Sequence, residues 1–140
     1  MKNVVFVVAL CLFSVLLFSC AVPYSFMHGE PDIDTIQIEI VNIATAQKSE
    51  YNEEHFSVIK VIENDKKEDF LSGFRNIKSY HPFGHPIGSI FGKAIRIIYS
   101  NGDVELITHY GTAVVENGEI NIRSITFDSD AFEAFLERYS

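Results

Sequence analysis

His81 and His85 bracket the stretch "HPFGH", and two imidazoles four residues apart are raw material for a zinc or copper site. A closed site needs more ligands, so His109 or a carboxylate would have to converge on the same loop. Pro82 and Pro86 argue instead for turn chemistry, with Phe83, Ile87 and Phe91 covering one end of a core. Glu53, Glu54 and His55 are the other cluster able to do acid or base work. That work requires a shared cleft and shifted pKa values, and adjacency in sequence supplies neither. A charged surface loop is the simpler reading.

Other catalytic grammar is missing. Gly88-Ser89 has no surrounding G-x-S-x-G elbow, and neither a G-x-G-x-x-G nor a phosphate loop is present, so no nucleotide cofactor is indicated. An EF-hand pattern is absent too. Cys11 and Cys20 are the two cysteines, both within the first 20 residues. The remainder of the chain can therefore form neither a disulfide nor a thiolate metal site.

Those two cysteines lie in or beside an apolar leader. Met1-Lys2-Asn3 carries one positive charge, and residues 4–18 follow with Ser14 as the polar interruption. A basic start, an apolar stretch and a small-residue exit are the layout of an export signal. Leu17-Phe18-Ser19-Cys20 resembles the lipobox of bacterial lipoproteins, matching at Leu17, Ser19 and Cys20, with Phe18 bulkier than usual at its position. The resemblance implies that the Cys20 thiol receives a diacylglyceryl group and that residues 1–19 are removed. Two acyl chains hold a protein stably where one holds it marginally. Two alternatives stand beside this: residues 4–22 retained as a membrane helix near the minimum span, or simple secretion after cleavage nearby.

The chain has 140 residues and a net charge of −8. Loss of the leader removes Lys2 and makes the balance more acidic by one. A negative field of this size repels phosphate backbones, so nucleic acid is not an expected partner. Residues 20–34 contain two prolines and a glycine without periodicity, and read as a lipidated cysteine followed by a flexible tether. Residues 35–140 then form one domain.

In that domain "TIQIEIVNI" alternates as a half-buried strand, and "HFSVIKVI" is a second strand. Asp65 with Glu68 predicts a capped helix carrying Phe70, Leu71, Phe74 and Ile77. Residues 80–92 form a long loop. Asn101-Gly102 and Asn117-Gly118 predict two-residue hairpin turns. The first would pair Tyr99 with Val104, Ile97 with Leu106 and Ile95 with Thr108. The second would pair Val115 with Ile120 and Ala113 with Ile122. Asp130 with Glu133 caps a last helix, whose stripe is Phe132, Phe135, Leu136 and Tyr139. The expected class is α+β: an antiparallel sheet of about five strands with two helices on one face.

In the two-residue register, the face away from the helices carries Arg96, Ile98, Glu105, Ile107 and His109. Two isoleucines among charges are a candidate partner surface, with burial under the 80–92 loop as the alternative. The stretch "IRIIYSNGDVELITHYG" with "FDSDAFEAFLERY" resembles a module of small uncharacterised lipoproteins of Gram-positive-type bacteria, a group whose activity is not established. The expectation is a lipid-anchored, extracytoplasmic, non-enzymatic domain that binds a protein or cell-wall partner. A small enzyme or metal-binding protein using the 80–92 loop is the alternative, as is a surface-held inhibitor or immunity protein.

Overall fold

The computed structural model describes residues 23–47, 51–80 and 88–140. Strand β1 (Gln37–Gln47) is followed by a 3-10 turn (Glu53–His55) and β2 (Phe56–Val61). A second 3-10 turn (Asn64–Lys66) leads into helix α1 (Lys67–Arg75). Then come β3 (Ser79–Tyr80), β4 (Ser89–Ile98), β5 (Val104–Thr108), β6 (Gly111–Glu116), β7 (Glu119–Arg123), β8 (Thr126–Phe127) and α2 (Ser129–Tyr139). Six strands make one antiparallel sheet in the order β2-β1-β4-β5-β6-β7, and β3 pairs with β8 as a short separate ribbon. The expected α+β architecture is present, with six strands in the main sheet. No described helix is long and apolar enough to cross a membrane.

Both faces of the central strands are buried. On the helix face, Ile36, Ile38, Ile40, Ile95, Ile97 and Ile107 meet Phe70, Phe74, Phe132 and Phe135 from the helices. On the other face Val41, Ile43, Ala94, Val104, Leu106, Ala113 and Val115 form a second cluster. The helices cross at Gly73, where an added Cβ would lie 3.0 Å from Phe135 Cε2. A side chain there would crowd the Phe135 ring, which would have to shift by a few tenths of an ångström.

Three local expectations are corrected. First, the β4–β5 connection is a three-residue loop. Gly102 N–H donates to the Tyr99 carbonyl (3.0 Å), Tyr99 N–H donates to Asp103 (2.9 Å), and Gly102 has φ +89°. That is a β-turn followed by a left-handed residue, which moves the pairing by one position. Ile95 now faces Ile107, Arg96 faces Leu106, and Ile97 faces Glu105. The second turn is as expected, with Asn117 at φ 53° and Gly118 at φ +81°, and with Val115 opposite Ile120.

Second, the helix starts differ. Asp128 caps α2 by accepting from Ala131 N–H at 2.8 Å, two residues ahead of Asp130. Helix α1 has no side-chain cap. Its first residue, Lys67, is instead buried and donates from Nζ to the carbonyls of Ile33 (3.2 Å) and Ile36.

Third, the described part of the expected tether, residues 23–34, is a packed strap. Phe26 is 5 % exposed within the helix-face core, and Tyr24, Met27 and Ile33 pack against it. The Tyr24 ring lies 5.1 Å from Phe26, 5.6 Å from Phe74 and 5.4 Å from Phe127, centroid to centroid. Glu30 pairs with Arg75 of α1. Burying one such aromatic is worth about 2–3 kcal/mol, which offsets part of the entropy lost in ordering the segment.

Candidate functional site

The β4–β5 hairpin buries a cation on one face of the sheet and a carboxyl on the other. Arg96 points away from the helices and is 5 % exposed. Its Nε donates to Glu39 Oε2 on the neighbouring β1 at 2.6 Å, and its Nη1 donates to Glu53 Oε2 at 2.6 Å and Tyr51 Oη at 3.2 Å. Tyr51 donates to Glu53 Oε1 (2.5 Å), Gln37 donates to Glu39 Oε1 (2.6 Å), and the Phe56 ring lies 5.3 Å from the guanidinium carbon.

A buried charge is tolerable when paired and hydrogen-bonded, and here each charged partner is satisfied. Burial would raise the Glu53 pKa, but the bonds from Tyr51 and Arg96 outweigh it and hold it below the usual carboxylate range. Burial and the bond to Glu53 push Tyr51 up to about 12, against the opposing pull of Arg96.

Glu105 lies on the helix face with 0 % exposure. Three donors reach it: Tyr24 Oη onto Oε1, Met27 N–H onto Oε2 at 3.1 Å, and Tyr99 Oη onto Oε2 at 2.7 Å. Burial, then the neighbouring Glu105 charge, drive both tyrosine hydroxyls well above their ordinary pKa. They are hydrogen-bond donors across the physiological range. Thr112 Oγ1 is buried facing the Tyr24 hydroxyl, whose pKa it lowers against the larger effects of burial and Glu105, and it makes no hydrogen bond of good geometry.

The expected surface of Arg96, Ile98, Glu105 and Ile107 is therefore not assembled. Arg96 and Ile98 are on one face, Glu105 and Ile107 on the other, and Ile107 is 0 % exposed. The one-residue change of register is the cause, because it exchanges the faces of every β5 side chain. His109 is 3.9 Å from Glu133 and half-exposed. Among the described residues no group of three or more His, Cys, Asp or Glu is arranged to hold a metal ion. His81, His85 and Cys20 lie outside the described residues. Of the acidic run, Glu53 joins Arg96, while Glu54 N–H is held by the Asn52 side chain at 3.0 Å.

Sequence reasoning gave β2 as a strand but missed that it is an exposed edge of the sheet. Val58, Ile59 and Val61 are 49 %, 44 % and 47 % exposed, and β2 has a partner strand on one side, β1, among the described residues. Ile59 falls where the β1 register shifts between Ile40 and Val41. Beside this edge a depression of about 370 Å³ carries Lys60, Lys66 and Arg138. The sequence carried no signal of this, because "SVIKVI", without polar alternation, reads as a strand buried on both faces. A wider groove of about 580 Å³ runs between the helices past Lys78, Phe135 and Arg138.

No protein-family model, curated protein or solved structure matches this chain.

Proposed function

We propose that the protein is an extracytoplasmic module, anchored to the membrane by lipid on Cys20, that binds an extended segment of a partner protein along the free edge of β2. The observation that carries the binding half is the exposure of Val58, Ile59 and Val61 on a strand with one unpaired side among the described residues. Unpaired backbone groups on an edge strand recruit another strand, and alternate side-chain pockets set specificity. The irregularity at Ile59 and the charge of Lys60 discourage stacking of identical edges, which selects a foreign segment over a second copy. Lys60, Lys66 and Arg138 line the depression beside the edge with Glu63 among them, and Lys66 is 3.9 Å from Asp65. That leaves a small local excess of cations in a chain of net charge −8 and suits a segment with acidic residues next to apolar ones. The leader and the lipobox-like Leu17-Phe18-Ser19-Cys20 support the anchored half.

The test is photo-crosslinking on intact cells from a benzophenone side chain at Ser57 of β2 and, separately, at Asn121 of β7. A discrete product from position 57 alone, lost when Val58→Asp and Ile59→Asp are added, is expected. The same product from both positions, or none from position 57, overturns the binding edge.

A further inference from the structure

The β2 edge also dictates the residue pattern of the segment that would pair with it, an inference that rests on the edge binding proposed above. Strand β1 pairs regularly with β4 from Gln37 to Ile43. Against β2 its register shifts, because Ile40 lies opposite Lys60 and Val41 opposite Val58. Ile59 is the extra residue, a bulge. In a regular strand Val58 and Val61 would point to opposite faces. Here Val58 sits opposite Val41 and Val61 opposite Glu39, both on the face away from the helices. Lys60 sits opposite Ile40, a member of the helix-face core. The edge is therefore two-sided, with exposed valines on one face and an exposed ammonium on the other.

The same valines hold the open backbone groups. Ile62 N–H donates to the Ile38 carbonyl at 2.9 Å. By alternation Ile38, Ile40 and Asn42 are the β1 positions that bond to β2. Their opposites Lys60 and Ser57 bond inward, so Val58 and Val61 turn N–H and C=O toward the free side.

Alternate side chains of a strand bonded there fall to opposite faces. On one face they meet Val58 and Val61, where the nearby carboxylates of Glu39 and Glu53 are already held by Arg96. On the other they meet Lys60 and the depression it shares with Lys66 and Arg138. Glu63 lines that depression too, and Asp65 is 3.9 Å from Lys66. Discrimination by charge therefore falls on Lys60, the cation carried by the strand itself.

We propose that the edge selects alternation: apolar residues on one face of the added strand and carboxylates on the other, beside Lys60. Composition alone does not suffice. The same residues arranged in two blocks would put half of each kind on the wrong face.

The experiment uses the protein from its native cells, in detergent, with fluorescently labelled synthetic peptides. In one peptide valine alternates with glutamate, in another valine alternates with lysine, and in the last valines and glutamates form two blocks. Anisotropy should show the valine–glutamate alternation bound about fivefold or more tighter than either other peptide, the scale of a few cross-strand pairs. Lys60→Glu should reverse the preference between the glutamate and lysine alternations, and Val58→Asp should weaken the valine–glutamate peptide. Equal binding of the alternating and block peptides, no binding of any peptide, or no reversal in Lys60→Glu overturns the pattern. The crosslink from position 57 judges the edge separately. Its presence beside such a result leaves edge binding standing, and its absence removes both.

Discussion

Glu105 Oε2 accepts the backbone N–H of Met27 at 3.1 Å, across 78 residues of sequence. That bond, with the one from Tyr24, makes a segment that reads as linker into part of the core. Glu105→Ala would strip three donors of their acceptor around a fully buried position. Leaving buried donors unmade costs about 1–3 kcal/mol each before relaxation, so a loss of about 3 kcal/mol or more in urea unfolding is expected. The Met27 amide should exchange with solvent far faster in this variant. Unchanged protection at Met27 would show that the strap is held by its aromatic rings alone.

Thr112→Val should stabilise the protein. The Thr112 hydroxyl is buried with no hydrogen bond of good geometry, though it faces the Tyr24 hydroxyl, and a poorly met buried hydroxyl costs about 1–3 kcal/mol. Valine has nearly the same shape and no such group. A gain of up to about 1 kcal/mol, read as a higher urea midpoint with unchanged slope, is expected. A loss would mean that the hydroxyl has a partner in solution.

The Arg96 network gives a pH dependence of defined sign. The folded pKa of Glu53 lies below its ordinary value of 4.5. Its stabilising contribution is therefore present above that value and is lost as pH falls through the folded pKa. The Glu53 side chain is 64 % exposed, so screening keeps this contribution small. Tyr51 has the opposite sense. Its contribution is present below its ordinary 10.0 and lost as pH rises through about 12. Carboxyl NMR of Glu53 should show a depressed midpoint that moves up in Tyr51→Phe, where one donor is gone. A midpoint that does not move would mean that the Tyr51 bond contributes nothing to the shift.

The exposed β2 side chains contribute little to the fold. Val58→Asp and Ile59→Asp should each change stability by about 1 kcal/mol or less, within the range of strand propensity, while removing partner crosslinking. Unfolding of either variant in dilute buffer would contradict a surface role.

Most elements were legible because their signals are local. The Asn117-Gly118 hairpin and the Phe132, Phe135, Leu136 stripe follow from turn chemistry and period. The same dipeptide at Asn101-Gly102 was not decisive, because β5 is apolar at both parities and alternation cannot choose between Leu106 and Ile107 for the helix face. The choice is made by Tyr24 and Met27, which reach Glu105 from far away in sequence. For the same reason Arg96 and Glu105 read as surface charges. Their partners Glu39, Glu53, Tyr24 and Tyr99 are brought in by tertiary structure. The exposed β2 edge was hidden by position: that it is outermost in the sheet is a property of topology.

Under the proposed anchor the location of the domain depends on the chemical state of Cys20, and the intact mass of the protein purified from its native cells tests it most directly. A chain that begins at residue 20 and carries diacylglyceryl mass on that sulfur is predicted. A free thiol at position 20, or a mature terminus elsewhere, would contradict the account.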